Sequence, residues 1–269
     1  MDDKPAKWIE YLARFGYAAK GVIYITIGLL SARAAFGSEG KVIGSKGAVR
    51  TIAAQPFGQV LLVILSIGLI GYVIWRFTQA IKDPEHRGND ASDIVRRIAY
   101  AISGLVYGAL AVFAIGLLIG SGGGQGGGSS SQSITSQVLS YPFGRWLVGT
   151  VGALFIGLAF YYFYRAIKAK FRKRFKLHEM SQKEEAIATW IGRFGVAARG
   201  VVYIVIGGFL IQAARTYDPS KVRTSEGALQ SLQGSSFLPW MFGIVALGLI
   251  AYGIHMGFQA RYRRINPEN

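Results

Sequence analysis

Residues 14–24 of this chain read RFGYAAKGVIY, and the pattern returns as RIAYAISGLVY over 97–107 and as RFGVAARGVVY over 193–203. Each copy begins with Arg, has Gly seven residues later and Tyr ten residues later, and opens a long apolar stretch. Recurrence of this kind is typical of a fold built from structural repeats. The pattern therefore predicts three copies of one structural unit.

The repeats contain six apolar stretches, each long enough to be a transmembrane helix, because a bilayer core of about 30 Å requires roughly 20 apolar residues. They are residues 15–33, 59–81, 98–120, 146–167, 194–214 and 238–260. None contains Asp or Glu, whereas a buried helix of a soluble protein usually has a polar face. The composition agrees, because 51% of the residues are hydrophobic and 16% are charged, against about 25% charged in soluble domains.

Each repeat unit holds two of these stretches. The predicted units are 8–82, 92–170 and 188–264, with a Gly/Ser-rich outer linker at 121–137 and a basic cytoplasmic linker at 168–187. Because every unit has an even number of spans, all three enter the membrane from the same side and are parallel repeats. The sequence thus predicts an all-α integral membrane bundle of six transmembrane helices, made of three helical hairpins about a pseudo-threefold axis.

The second helix of each unit carries a signature of its own. SKGAVR at 45–50 matches SEGALQ at 225–230, and PFG at 56–58 returns at 142–144. Together with the Arg–Gly–Tyr pattern of the first helices, these motifs resemble the bacterial family known as domain of unknown function 1206, over nearly the whole chain. The resemblance implies a membrane fold of three two-helix units. It implies no activity, cofactor or catalytic residue.

The distribution of Lys and Arg predicts the orientation of the chain. With a cytoplasmic N-terminus, the inner segments hold 22 of these residues and the outer loops hold 8. Cytoplasmic loops carry the excess of positive charge in membrane proteins. We therefore expect a multi-pass protein of the cell inner membrane with both termini in the cytoplasm.

One face of each first helix carries Arg, Gly and Tyr, and one face of each second helix carries Gly, aromatic and Gln residues. The simpler interpretation is a pair of packing seams, because small residues let helices approach closely in lipid. The alternative is a polar cluster inside the bundle, because intramembrane polar groups are costly unless paired. Its candidate residues are Arg14, Tyr24, Tyr72, Gln79, Arg97, Tyr107, Arg165, Arg193, Tyr203, Tyr252, His255 and Gln259.

Other basic residues are candidate contacts for anionic lipid. Lys20 and Arg199 occupy equivalent positions, and they either snorkel to the inner headgroups or form a basic rim around a crevice for an anionic headgroup or a small anion. The cytoplasmic linker adds Lys168, Lys170, Arg172, Lys173, Arg174 and Lys176. This linker is expected to set the topology and to attract anionic lipid. A docking site for an acidic cytoplasmic partner or nucleic acid is the alternative.

Little in the sequence predicts catalysis. The chain has no Cys and only three His, at positions 86, 178 and 255, so neither a zinc site nor paired haem ligands are predicted. No carboxylate lies within a span, so a proton relay has no obvious residues. We expect no enzyme activity, no metal and no cofactor. The expected partners are membrane lipids, with anionic headgroups on the cytoplasmic side, and a membrane protein, with no nucleic acid.

Two functions remain open. The sequence favours a non-enzymatic scaffold or accessory subunit that binds lipid or another membrane protein, which predicts a close-packed bundle without a central path. The alternative is a channel or permease for a small solute, which predicts a path along the pseudo-threefold axis lined by the Tyr and Gln faces.

Overall fold

A computed structural model of the chain describes residues 7–36, 43–82, 90–120, 135–233 and 239–265. The predicted outer linker at 121–137 lies outside the described residues, except for its last three, which begin a helical turn at 135–139.

The described part of the chain is all-α. Its main helices are α1 (Lys7–Phe36), α2 (Ser45–Ala53), α3 (Gly58–Ile81), α4 (Ala91–Leu118), α5 (Gly144–Ile167), α6 (Gln182–Thr216), α7 (Ser225–Gln233) and α8 (Pro239–Tyr262). Six of them, α1, α3, α4, α5, α6 and α8, are long and apolar enough to cross a membrane. Each corresponds to one predicted stretch, so the prediction of an all-α protein with six membrane-spanning helices in three repeats is confirmed.

The helices α1 and α6 extend well beyond the apolar stretches from which they were predicted. At 1.5 Å per residue, the 35 residues of α6 span about 52 Å, which exceeds a bilayer core of about 30 Å. Its start is fixed by a capping box, in which the Ser181 hydroxyl accepts from the Glu184 N–H and the Glu184 carboxylate accepts from the Ser181 N–H. The first turns of α6 therefore project beyond the apolar layer.

The membrane helices pack in the order α4, α3, α1, α8, α6, α5, and each neighbour runs antiparallel to the next. Arg14, near the start of α1, bonds Ala260 at the end of α8, and Arg97, near the start of α4, bonds Ala80 at the end of α3. Glu184, at the start of α6, accepts from Tyr262 at the end of α8. The helices α1, α4 and α6 therefore all begin at one end of the bundle, hereafter the inner end.

The pseudo-threefold symmetry is not confirmed, because the second unit packs differently from the other two. In units one and three the paired helices pack against each other, as α1 on α3 and α6 on α8, whereas α4 and α5 make at most a marginal contact within the described residues. A Cβ on Gly16 would lie 2.5 Å from the backbone nitrogen of Tyr72, and a Cβ on Gly195 would meet the backbone of Tyr252 just as closely. The second unit has Ala99 at this position, whose Cβ excludes the same approach.

The basic linker after α5 is folded onto the inner end of α8. The side chains of Phe171 and Phe175 are 1% and 2% exposed. The Lys176 N–H donates to the Tyr262 carbonyl at 2.8 Å, and the Arg264 N–H donates to the Arg174 carbonyl at 2.8 Å. The aromatic residues of the linker are thus part of the core, which closes the bundle at its inner end.

Candidate functional site

A cluster of tyrosine rings lies at the centre of the bundle, and all six membrane helices contribute to it. Its members, hereafter the tyrosine cluster, are Tyr24 of α1, Tyr72 of α3, Tyr107 of α4, Tyr162 of α5, Tyr203 of α6 and Tyr252 of α8. The ring centroids of Tyr24 and Tyr252 are 4.8 Å apart, and those of Tyr72 and Tyr107 are also 4.8 Å apart. The helices are therefore joined by polar aromatic groups where they would otherwise meet through apolar residues alone.

Lys20 lies inside this cluster and is 3% exposed. Its Nζ donates to the Tyr72 hydroxyl at 2.9 Å. The same nitrogen lies 4.6 Å from the ring centroid of Tyr107 and 4.8 Å from that of Tyr72, with Tyr24 and Tyr252 at 6.0 and 5.9 Å. These are cation–π distances, and a desolvated pair of this kind contributes about 2 kcal/mol.

Arg199 of α6 is the second cation of the cluster. Its Nη1 donates to the Tyr252 hydroxyl at 2.7 Å, and its Nη2 donates to the Tyr203 hydroxyl. The guanidinium lies 5.3 Å from the ring centroid of Tyr24 and 4.8 Å from that of Tyr252. Lys20 contacts the same two rings, so the two cations share a pair of aromatic neighbours.

The two cations occupy equivalent positions in repeat units one and three. Lys20 donates to Tyr72 and Arg199 donates to Tyr252, so in both units a cation of the first helix bonds a tyrosine of the second. The second unit has Ser103 and Leu158 at these positions and lacks the contact. The central site is therefore made mainly by units one and three, and unit two closes one side of it with Tyr107 and Tyr162.

The site lies inside the apolar stretches, in their inner half, because Lys20 and Arg199 are each five residues, or about 8 Å, past the starts of the stretches at 15 and 194. Lys20 is about 20 Å from the start of α1, and Arg199 is about 25 Å from either end of α6. Within the described membrane helices, acidic residues occur only in the first turns, at Glu10, Asp93, Glu184 and Glu185. Glu10 is about 15 Å along the helix from Lys20. No carboxylate of these helices is placed to neutralise the two central cations.

Further cations connect the site to the inner end. Arg76 donates to the Tyr72 hydroxyl, and its guanidinium lies 5.1 Å from the ring centroid of Tyr100. Arg174 of the linker donates to the hydroxyl of the same Tyr100 at 3.2 Å. Arg165 lies 5.5 Å from the ring centroid of Tyr162. Positive charge therefore continues from the tyrosine cluster to the basic linker.

The repeated arginines Arg14, Arg97 and Arg193 were predicted to belong to the intramembrane polar cluster, but they lie at the inner end of the bundle. Arg14 donates to the Ala260 carbonyl at 2.9 Å and to that of Arg261, and it pairs with Glu10 at 2.7 Å. Arg97 donates to the carbonyls of Ala80 and Ile81 at 2.7 and 2.8 Å.

Arg14 and Arg97 thus satisfy the last carbonyls of a helix from the neighbouring unit. Arg193 lies 5.9 Å from the ring centroid of Trp190, outside the tyrosine cluster. The prediction that these three arginines join the tyrosines was wrong, because each lies ten residues, or about 15 Å along its helix, from the tyrosine that belongs to the cluster.

Replacing Arg14 by Gln should lower the free energy of unfolding by about 1–2 kcal/mol, because two carbonyls at the negative end of α8 lose a charged donor. Thermal unfolding of the detergent-solubilised protein measures this. Arg33→Gln on the exposed outer end of the same helix is the control, and equal midpoints for the two variants would contradict a capping role.

The remaining predicted polar residues form a second group below the tyrosine cluster. Nε2 of His255 lies 2.9 Å from Nε2 of Gln259, and the Gln259 side-chain oxygen accepts from Arg263 at 2.7 Å. His255 is fully buried and packs against the Phe171 ring, with centroids 4.7 Å apart. Gln79 accepts from Arg76 at 2.8 Å. This group closes the inner end and is linked to Lys20 through Arg76 and the Tyr72 hydroxyl.

The predicted lipid contacts divide into two sets. For Lys20 and Arg199 the snorkelling alternative is corrected: their side chains are held inside the tyrosine cluster, because α1 and α6 have neighbours on several sides. In the linker, the side chains of Lys168, Lys170 and Lys173 are exposed. Those of Arg172 and Lys176 pair with Glu185 and Glu179, and Arg174 bonds Tyr100. The ammonium of Lys176 holds the pKa of the Glu179 carboxyl below its usual range.

Several residues of the site were not among the predicted site residues. Arg76, Tyr100 and Tyr162 belong to the central groups, and Phe171 and Phe175 close the inner end. Tyr100 and Tyr162 stand at helical spacing from Tyr107 and Leu158, so the repeat alignment could have indicated them. Among the described residues, no group of three His, Asp or Glu side chains comes together that could hold a metal ion.

This fold and its centre define a class: a multi-pass membrane protein of three two-helix repeats whose helices meet around buried cations and tyrosines. The sequence profile described as Domain of Unknown Function (DUF1206) matches residues 15–83, 98–169 and 194–263, and the chain belongs to that family. It is 38% identical over 268 residues to "Uncharacterized protein YxxB" of Bacillus subtilis (strain 168), covering 100% of this chain and 95% of the relative. No solved structure matches it.

Proposed function

We propose that the protein is a non-enzymatic channel or permease of the cell inner membrane, with both termini in the cytoplasm and with the tyrosine cluster as its solute site. The observation that carries this proposal is the placement of two cations, Lys20 and Arg199, inside the apolar stretches, where no carboxylate of the described membrane helices neutralises them. Charged groups at this depth are costly, and in membrane proteins they mark the pathways of ions and substrates.

The partial exposure of the cluster supports access by a solute. Arg199, Tyr162 and Tyr203 are half-buried, as are Arg76 and Arg165. A seam made only for packing would be expected to bury these groups completely or to replace them with apolar ones. Partly exposed polar groups at the centre are instead typical of a site that a solute reaches.

A scaffold or accessory subunit is the second candidate, and the second repeat unit favours it. The helices α4 and α5 make at most a marginal contact with each other. Near the outer end of α5, a largely apolar depression of about 530 Å³ is lined by residues such as Tyr141, Trp146 and Leu147. A partner helix could pack there, since small grooves and aromatic residues are typical of helix association in lipid.

Introduced cysteines distinguish the two candidates, because the natural chain contains none. Ser103 occupies the position of Lys20 and Arg199 and is half-buried, whereas the adjacent Ile102 is exposed on the lipid side. A solute pathway predicts that Ser103→Cys reacts with a small water-soluble methanethiosulfonate in membranes, whereas the matched control Ile102→Cys does not. Protection of Ser103→Cys from both sides of the membrane would contradict a pathway and favour the scaffold.

A further inference from the structure

We propose that the central site binds a small inorganic anion between Lys20 and Arg199. This inference rests on the proposed function and names its class of substrate. It follows from three features of the site, namely the charge of the cluster, the unused hydrogen-bond donors and the occupied aromatic faces.

The charge of the site is the first feature. Lys20 and Arg199 share the rings of Tyr24 and Tyr252, so two like charges lie against the same pair of rings. Arg76 adds a third through the Tyr72 hydroxyl. Tyrosine rings and hydroxyls stabilise cations but carry no net charge. An anion between the two cations supplies the opposite charge that the described helices do not.

The donors are the second feature. An ammonium has three N–H groups and a guanidinium has five. Lys20 makes one hydrogen bond, to Tyr72, and Arg199 makes one to each of Tyr203 and Tyr252, among the described residues. The remaining N–H groups of both residues have no oxygen acceptor among the described residues. Charged donors without an oxygen acceptor are the groups that hold an anion in a dry site.

The aromatic faces are the third feature, and they decide the sign of the solute. A cage of tyrosines ordinarily favours a cation, because the faces of the rings are negative. Here Lys20 and Arg199 already lie over the rings of Tyr24, Tyr72, Tyr107, Tyr162, Tyr203 and Tyr252. A solute that enters therefore meets positive charge, so a cationic solute is repelled.

The site fits a small ion better than a lipid headgroup. Lys20 is 3% exposed and is enclosed by four rings from four helices. A headgroup joined to acyl chains would require α1 to separate from its neighbours. A chloride or nitrate ion needs only a few donors and loses its hydration more readily than sulfate or phosphate. The inferred ligand is therefore a small monovalent anion.

The test is the thermal unfolding of the full-length protein in detergent, titrated with chloride against gluconate at constant ionic strength and pH. We expect the unfolding midpoint to rise saturably with chloride, because a ligand that binds only the folded state stabilises it. The Lys20→Met and Arg199→Met variants should need at least tenfold more chloride. The Lys20→Arg variant, which keeps the charge, should stay within threefold of the natural protein.

Lys46→Met is the matched control, because Lys46 also lies over an aromatic ring, that of Phe113 at 5.4 Å, but is exposed on the outer side. Its chloride response should equal that of the natural protein. Equal midpoints in chloride and gluconate for the natural protein would overturn the inference, as would equal responses in the natural protein and a Lys20→Met/Arg199→Met double variant.

Flux in proteoliposomes separates this inference from the proposed function. Saturable chloride binding without chloride flux would support the anion site and contradict the channel or permease. Flux of a neutral solute that is indifferent to chloride and to both Met variants would support a pathway and overturn the anion site.

Discussion

Replacing Gly16 by Val should separate α1 from α3 and lower the free energy of unfolding by at least about 3 kcal/mol. A Cβ at Gly16 would lie 2.5 Å from the Tyr72 nitrogen and 2.6 Å from the Tyr72 Cα. Both are backbone atoms of a packed helix, so no side chain can rotate away to relieve the overlap. For a chain of this size, the change corresponds to a fall of about 6–12 °C in the unfolding midpoint.

The same variant should also damage the central site. Tyr72 accepts from Lys20 at 2.9 Å, and a shift of its backbone would break this bond. Gly16→Val is therefore expected to lose its response to chloride together with its stability. Circular dichroism at increasing temperature, with and without chloride, measures both effects.

Gly157→Val is the control, because a Cβ on this residue of α5 would meet nothing within 4 Å. It inserts the same side chain into a membrane helix with no neighbour to displace, so its midpoint should stay within about 2 °C of the natural protein. A similar loss in both variants would mean that helix propensity, and not the α1–α3 contact, explains the effect.

The repeats and membrane helices could be predicted because they depend on local sequence. Length and apolar composition decide whether a helix can span a bilayer, and the recurrence of Arg, Gly and Tyr makes the units visible. The symmetry of the bundle could not be predicted as readily. It depends on close helix contacts, such as those of Gly16 and Gly195, which the second unit cannot repeat because it has Ala99 at that position.

The candidate site was predicted in part. The faces of Tyr24, Tyr72, Tyr107, Tyr203 and Tyr252 indicated that their side chains turn inward, and the structure brings them together. Lys20 and Arg199 were predicted as lipid contacts that either snorkel to the inner headgroups or form a basic rim around a crevice for an anionic headgroup or a small anion, because they lie off those faces.

A helix with one neighbour has a lipid side, but α1 contacts both α3 and α8, so Lys20 is also enclosed. The number of neighbours of a helix is a property of the whole bundle and does not appear in the sequence of that helix. Phe171 and Phe175 were not recognised as core residues, because the packing of the linker onto the end of α8 is also a property of the whole bundle.

Replacing Lys20 by Met should raise the free energy of unfolding in chloride-free buffer by about 1–4 kcal/mol. Exchange of a whole buried ion pair for apolar groups is often stabilising, because the charges no longer have to lose their hydration. Lys20 has no carboxylate partner among the described residues, so Lys20→Met resembles that exchange and leaves no opposite charge unpaired. Here it also removes the repulsion between two cations that share Tyr24 and Tyr252. In saturating chloride the difference in free energy of unfolding between Lys20→Met and the natural protein should shrink, because the anion stabilises only the protein that retains both charges.

This pair of measurements separates a binding residue from a structural one. If Lys20 served only to join helices through Tyr72 and the neighbouring rings, Lys20→Met would destabilise the protein by the same amount in both buffers. Lys46→Met, which also removes a lysine from an aromatic ring but at an exposed position, should change the free energy of unfolding by less than about 0.5 kcal/mol in either buffer. A more stable but chloride-insensitive Lys20→Met variant is the result expected of a charge that is retained for its ligand and not for the fold.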